Sequence, residues 1–179
     1  MTAQTKYNKT NFRGFTLIEL LVVIGILAML LAITLIAINP ARQFGLANDT
    51  KRRSDITELL NAIGQYQADP TNNGQLPPAI VDAASTSAKE IDSANFANVG
   101  TNGTDNLCSE LVTTYISALP VDPSKTSNTT PNGTSGITSC TGTWDTGYQI
   151  EKDASNRITI IAPLSYSQAN GGAAISVTR

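Results

Sequence analysis

Gly14-Phe15-Thr16-Leu17-Ile18-Glu19-Leu20-Leu21-Val22-Val23 opens the apolar part of the chain, and its reading decides the fold. The run continues to Ile38, with Glu19 as its only charged residue. A helix over residues 15–38 would be roughly 36 Å long, enough to cross a hydrocarbon core of about 30 Å. A secretory signal peptide has a shorter apolar region, about 7–15 residues, ended by a small-residue cleavage site. Ile36-Ala37-Ile38-Asn39-Pro40 offers no such site. Lys6, Lys9 and Arg13 precede the span, an arrangement that keeps the N-terminus cytoplasmic. The segment therefore reads as a single membrane-spanning helix.

Two features exceed what a plain anchor needs. Glu19 places a carboxylate inside an apolar run, where an ionisable group is costly and is a functional candidate by default. Arg13-Gly14 directly precedes Phe15, between a basic polar leader and the apolar helix. A glycine there gives a flexible peptide bond with no side chain to obstruct a protease.

The ordered stretch from Gly14 to Val23 resembles the class III signal of type IV prepilins and type II secretion prepseudopilins. The resemblance implies a cut between Gly14 and Phe15 by prepilin peptidase on the cytoplasmic side. It implies methylation of the new Phe15 amino group by the same enzyme. Residues 1–14 would leave as a leader, and residues 15–38 would serve first as anchor and later as filament core. A buried carboxylate needs a partner, and the Phe15 amine is the only cation in the mature apolar segment. The family thus implies that Glu19 neutralises that amine on a neighbouring subunit and sets the axial register. The implied partners are identical subunits in a homopolymer, prepilin peptidase, the cytoplasmic membrane before assembly, and a membrane assembly platform with its motor ATPase. The implied product is a pilus or an envelope-spanning pseudopilus, with adhesion, motility or DNA uptake as the associated roles.

Asn39-Pro40 interrupts the helix. Proline cannot supply an amide to a continuing helix, yet it suits the first turn of a new one behind an asparagine. The expectation is one long helix kinked at Pro40, on the order of 80 Å from Phe15 to Asp69. Within residues 39–69, Phe44, Ala47, Ile56, Leu59, Leu60, Ile63 and Tyr66 recur at helical spacing and form one apolar stripe. The first half of the helix belongs in lipid or a helical core, and the second half packs on a globular head. Lys51-Arg52-Arg53 reads as a solvated or membrane-proximal face rather than a nucleic-acid contact. The Arg-Ser-Asp-Ile pattern, Gln65-Tyr66 and Gly74 to Pro77 also resemble pilin and pseudopilin heads.

Residues 70–179 form the expected extracytoplasmic head. Residues 71–104 are rich in Asn, Gly, Ala, Ser and Thr and read as a connection with one helical turn near Ala88-Lys89-Glu90-Ile91. Leu107, Leu111, Val112, Tyr115, Ile116 and Leu119 predict a short amphipathic helix, capped by Asp105 or Asn106 and stopped by Pro120. Leu119-Pro120-Val121-Asp122-Pro123 is again pilin-like. Residues 124–147 carry too little apolar surface to make a core alone. Residues 148–152 and 157–162 predict a hairpin through a turn at 153–156, and 173–177 a third strand. The fold class is α+β: a long N-terminal helix packed by its C-terminal half on a roughly three-stranded antiparallel sheet.

Cys108 and Cys140 lie outside the membrane in this topology, in a compartment that permits disulfides. Their bond would close a loop across the polar segment, worth roughly 3–4 kcal/mol in the chain-entropy account. Two free thiols or a thiol pair for a metal are the alternatives.

The chain has no histidine, which excludes Ser-His-Asp and Cys-His catalysis. It has no phosphate loop and no dinucleotide fingerprint, so no enzyme activity and no cofactor are expected. Asp82, Asp92, Asp105, Glu110, Asp122, Asp145 and Asp153 read as scattered solvent-facing acids. Some pseudopilins bind calcium in the head, and Asp122 and Asp145 are the candidate oxygen donors, but their spacing matches no tight calcium loop. The sequons at Asn102, Asn128 and Asn132 read as chance in a Thr- and Asn-rich tract. With 12 basic against 14 acidic residues, the whole chain offers no nucleic-acid surface. The remaining rival is a signal-anchored surface binding protein with no assembly role, which would keep residues 1–14 and be indifferent to Glu19.

Overall fold

The computed structural model describes residues 14–83, 87–97, 105–125 and 136–179. The leader residues 1–13 and the three sequons lie outside them, as do the side chains of residues 82 and 83. The chain divides into two units, residues 1–40 and 41–179.

The first unit is built on helix α1, Leu17–Ile38, which contains no buried residue. It ends because the residue before a proline is driven out of the α region. Asn39 takes the left-handed conformation, φ 45° and ψ 79°, which asparagine tolerates better than most residues. The interruption thus falls on Asn39. Pro40 is the first residue of helix α2, Pro40–Ala68, where its fixed φ fits and its missing amide has no consequence.

In the second unit, α2 carries the core stripe Ile56, Leu59, Leu60, Ala62 and Ile63, all buried. Tyr66 is half-buried against that core. Phe44, assigned to the same stripe, is 72% exposed. The head begins to cover α2 only near Gly45, which packs so closely under the Tyr166 ring that a side chain there would overlap it. Beyond α2, a 3-10 turn at Pro70–Asn72 leads into the short helix α3, Pro78–Ala83.

The sheet has four antiparallel strands in the order β1-β2-β3-β4: Lys89–Asp92, Asp145–Lys152, Ile158–Ala162 and Ile175–Thr178. The expected hairpin and third strand are β2, β3 and β4. The fourth strand, β1, lies where a helical turn was expected. Four residues fix no helical stripe, and pairing with β2 buries Ile91 and lets Thr146 Oγ1 donate to the Ile91 carbonyl at 2.8 Å. Helix α4, Ser93–Phe96, follows directly and buries Phe96. One face of the sheet, with Tyr148, Ile150, Ile158, Ile160 and Ala162, shares a single hydrophobic cluster with the α2 stripe.

The amphipathic helix expected through Leu119 is shorter. Helix α5 spans Leu107–Leu111, with Asn106 as its cap. Thr113 then turns left-handed at φ 76°. The chain is diverted because other partners win: Thr113 N–H bonds the Ile116 carbonyl, Leu119 and Ile137 exchange two backbone hydrogen bonds, and the Tyr115 hydroxyl reaches Asp69 Oδ2 at 2.9 Å. The Tyr115 ring also stands edge-on to Tyr66 at 5.4 Å between centroids. A final short helix, α6, spans Tyr166–Ala169.

Just before its apolar stripe, α2 bears a polar belt that fastens it to the head. Arg52 is 1% exposed and makes four hydrogen bonds. Nε and Nη2 grip both oxygens of buried Asp122 at 2.7 and 2.9 Å, Nη2 also reaches Ser124 Oγ at 2.6 Å, and Nη1 reaches Asp49 Oδ1 at 2.9 Å. Asp49 in turn accepts the backbone amides of Tyr166 and Ser167 at 2.8 and 2.9 Å, capping α6 from another element. Asp55 accepts from the Tyr148 hydroxyl at 2.7 Å and from Lys51 at 2.8 Å. Arg52 and Asp122 are therefore buried partners, where the sequence had suggested a solvated face and a solvent-facing acid. Arg52 lies on the same helical line as Ile56, Leu59 and Ile63, which carries it inward with them.

Burial disfavours the Asp49 charge, but the amides of Tyr166 and Ser167, with Arg52, outweigh it and hold the carboxyl below its ordinary range. Asp122 most strongly holds Arg52 in its charged form. Burial first, and then the bond to Asp55, keeps the Tyr148 hydroxyl protonated.

Removing one partner of a buried pair leaves an uncompensated charge, so Arg52→Ala should destabilise the head by about 3–5 kcal/mol. Lys51→Ala, at a half-exposed pair, should cost less than about 1 kcal/mol. Denaturant titration of the full chain in detergent micelles, followed by fluorescence of the buried Trp144, separates the two; equal effects would contradict the ranking. Because Asp49 titrates lower folded than unfolded, its contribution is complete above the ordinary carboxylate range. It fades as pH falls through that range toward the folded value. Asp49→Asn should flatten that acid limb, and an unchanged limb would remove Asp49 from the account.

Candidate functional site

Thr16 starts α1 as its N-cap, in extended conformation, and Glu19 is the third residue of the first turn. The two form a capping box, which satisfies amides that a helix start otherwise leaves open. Glu19 N–H donates to Thr16 Oγ1 at 3.3 Å, and Thr16 N–H and Oγ1–H donate to Glu19 Oε2 at 2.8 and 2.6 Å. The sequence spacing Thr-x-x-Glu before an apolar run carries this signal locally.

The box fixes where the helix begins, and so leaves the Gly14–Phe15 bond outside it. Both residues are non-helical and exposed, Phe15 at 89%. Among the described residues beyond its chain neighbours, no atom lies within 4 Å of where a Gly14 side chain would stand. Cleavage of that bond would not require α1 to unfold. From Leu17 onward the helix is apolar on every side, and it is long and apolar enough to cross a membrane.

The head supplies the disulfide. Cys108 on α5 is bonded to Cys140, with Cα atoms 5.3 Å apart. The Asn106 side chain that caps α5 also donates to the Cys140 carbonyl at 3.2 Å, so two links tie the same segments.

Several of the scattered carboxylates are engaged within the head. Asp122 is held by Arg52. Asp145 Oδ2 and Glu90 Oε1 each lie 2.6 Å from Lys125 Nζ. Asp92 caps α4 and Asp153 closes the β2–β3 turn through Ser155 and Arg157. Asp122 and Asp145, named as calcium donors, thus each face a cation side chain. Among the described residues, no three His, Cys, Asp or Glu side chains are grouped to hold a metal ion.

One protein-family model, the prokaryotic N-terminal methylation motif, matches residues 9–35. No curated protein and no solved structure matches the chain. The match therefore bears on the N-terminal segment, where the open Gly14–Phe15 bond, the capping box and the apolar helix coincide. This chain carries, at residues 9–35, the prepilin-type signal of type IV pilins and pseudopilins.

Proposed function

We propose that this chain is a structural subunit, a pilin, of a type IV pilus-like extracellular filament. It is made as a prepilin, cut after Gly14, methylated on the Phe15 amine and polymerised through α1. The observation that carries the reading is the union of the methylation motif with a helix that has no buried residue. Such a helix is stable in lipid, or among copies of itself where packing and polar pairing hold helices together. Monomers wait in the cytoplasmic membrane with the head outside, and an assembly platform with its motor ATPase extracts them. The role requires no cofactor and no catalytic residue in this chain.

The same signal supports a type II secretion pseudopilin as the alternative, with a short envelope-spanning fibre in place of a surface filament. Electron microscopy of the native host, with peptide identification of this chain in sheared filaments, distinguishes the two. Glu19→Ala should be cleaved and inserted like the wild type yet yield no filaments. Normal filaments from that variant would sink the pairing of Glu19 with a neighbouring Phe15 amine.

A further inference from the structure

The two edges of the sheet differ. The β1 edge is blunted: it carries Lys89 and Glu90, its register shifts between Glu90 and Asp92, and Asn95 Nδ2 donates to the Glu90 carbonyl at 3.2 Å. The β4 edge has none of these devices. Ser176, Val177 and Thr178 are exposed and uncharged, and their register against β3 is unbroken. Among the described residues no strand lies beyond β4.

The ladder fixes which groups face outward. Ile158 and Arg179 exchange two backbone hydrogen bonds, each of 2.9 Å. Opposed residues of an antiparallel pair alternate between bonded and non-bonded. Val177 is therefore bonded to Ile160, whereas Ser176 and Thr178 turn their amides and carbonyls away from β3. Such a row is a template for another strand. Val177 stands on the same face as buried Ile160, yet it is 36% exposed.

We propose that the β4 edge is a self-complementary surface through which two copies of this chain pair by antiparallel strand addition, in a register centred on Val177. A two-fold contact matches one patch with itself. Centring on Val177 sets Ser176 of one copy opposite Thr178 of the other, so the outward groups of both edges meet. It also sets Val177 opposite Val177 as a non-bonded pair, the closer kind, and so covers the exposed side chain. No charge within Ser176–Thr178 opposes the match. Helix α2 lies along the inner face of the sheet, so a two-fold axis normal to the sheet reverses its direction. On the filament reading the contact joins heads of filaments that run oppositely, not neighbours within one. The pairing itself does not rest on that reading.

Cysteine cross-linking of the full chain in detergent micelles, at one chain per micelle, tests the register. Val177→Cys should give a covalent dimer, since non-bonded partners stand about 4.5 Å apart at Cα, within disulfide reach. Ser176→Cys and Thr178→Cys should each stay monomeric alone, because like residues then lie about 8 Å apart across the axis. Mixed together, those two variants should cross-link. Fluorescence of buried Trp144 checks that each variant keeps its fold. A folded Val177→Cys chain that forms no dimer would overturn the proposal. So would equal cross-linking by all three variants, the mark of random collision, or cross-linking by Thr178→Cys alone, the mark of a parallel contact. Cross-linking of the Val177→Cys chain to a different protein in the native host, with no dimer, would assign the edge to that protein and overturn self-pairing. None of these results touches leader cleavage, so the proposal and the pilin reading fail separately.

Discussion

An apolar helix with no partner in its own chain is the constraint on which the rest depends. The side chains of α1 are exposed along its whole length, from Leu17 at 82% to Ile38 at 57%. A soluble domain hides such a surface in its core, and this one does not. Lipid or other copies must cover it. That requirement explains why the segment is apolar on every side, in contrast to the one-sided stripe of α2. It also gives the one carboxylate its significance. In an otherwise almost wholly apolar helix, Glu19 is the one charged side chain, and the Thr16 cap holds it at the helix start.

The head answers a different requirement, attachment to the far half of the helical run. The apolar stripe of α2 supplies the burial, in a single cluster with the inner face of the sheet. The polar belt supplies direction. Arg52 reaches the Asp122 loop, Asp49 reaches the start of α6, and Asp55 reaches β2 through Tyr148. Three separate elements are thus referred to one short stretch of α2. Buried ion pairs are weak sources of net stability but strict about geometry. The belt thus gives the head a fixed place on α2.

The parts of this fold that were legible in the sequence rest on short-range physics. The apolar run and the interruption at Asn39-Pro40 each depend on a few neighbouring residues. The β2–β3 hairpin was legible because Asp153 and Asn156 mark its turn between alternating segments. What escaped depends on partners far along the chain. Arg52 and Asp122 are 70 residues apart, so neither looks buried from its own neighbourhood. Strand β1 exists because β2 offers an edge more than fifty residues later. Helix α5 stops early because Leu119 finds Ile137 and Tyr115 finds Asp69, contacts that no helical periodicity announces. The N-terminal segment was the most legible part, since the apolar run and the methylation motif at residues 9–35 are carried by order along the chain rather than by tertiary convergence.

The proposed function makes the chain a processed assembly subunit and not a permanent anchor. The mass of its N-terminal peptide, taken from protein made in the native host, tests it most directly. The account predicts a terminus that begins at Phe15 and carries one added methyl group. An intact terminus that retains Met1 through Gly14 in the assembled or surface-exposed protein would contradict it.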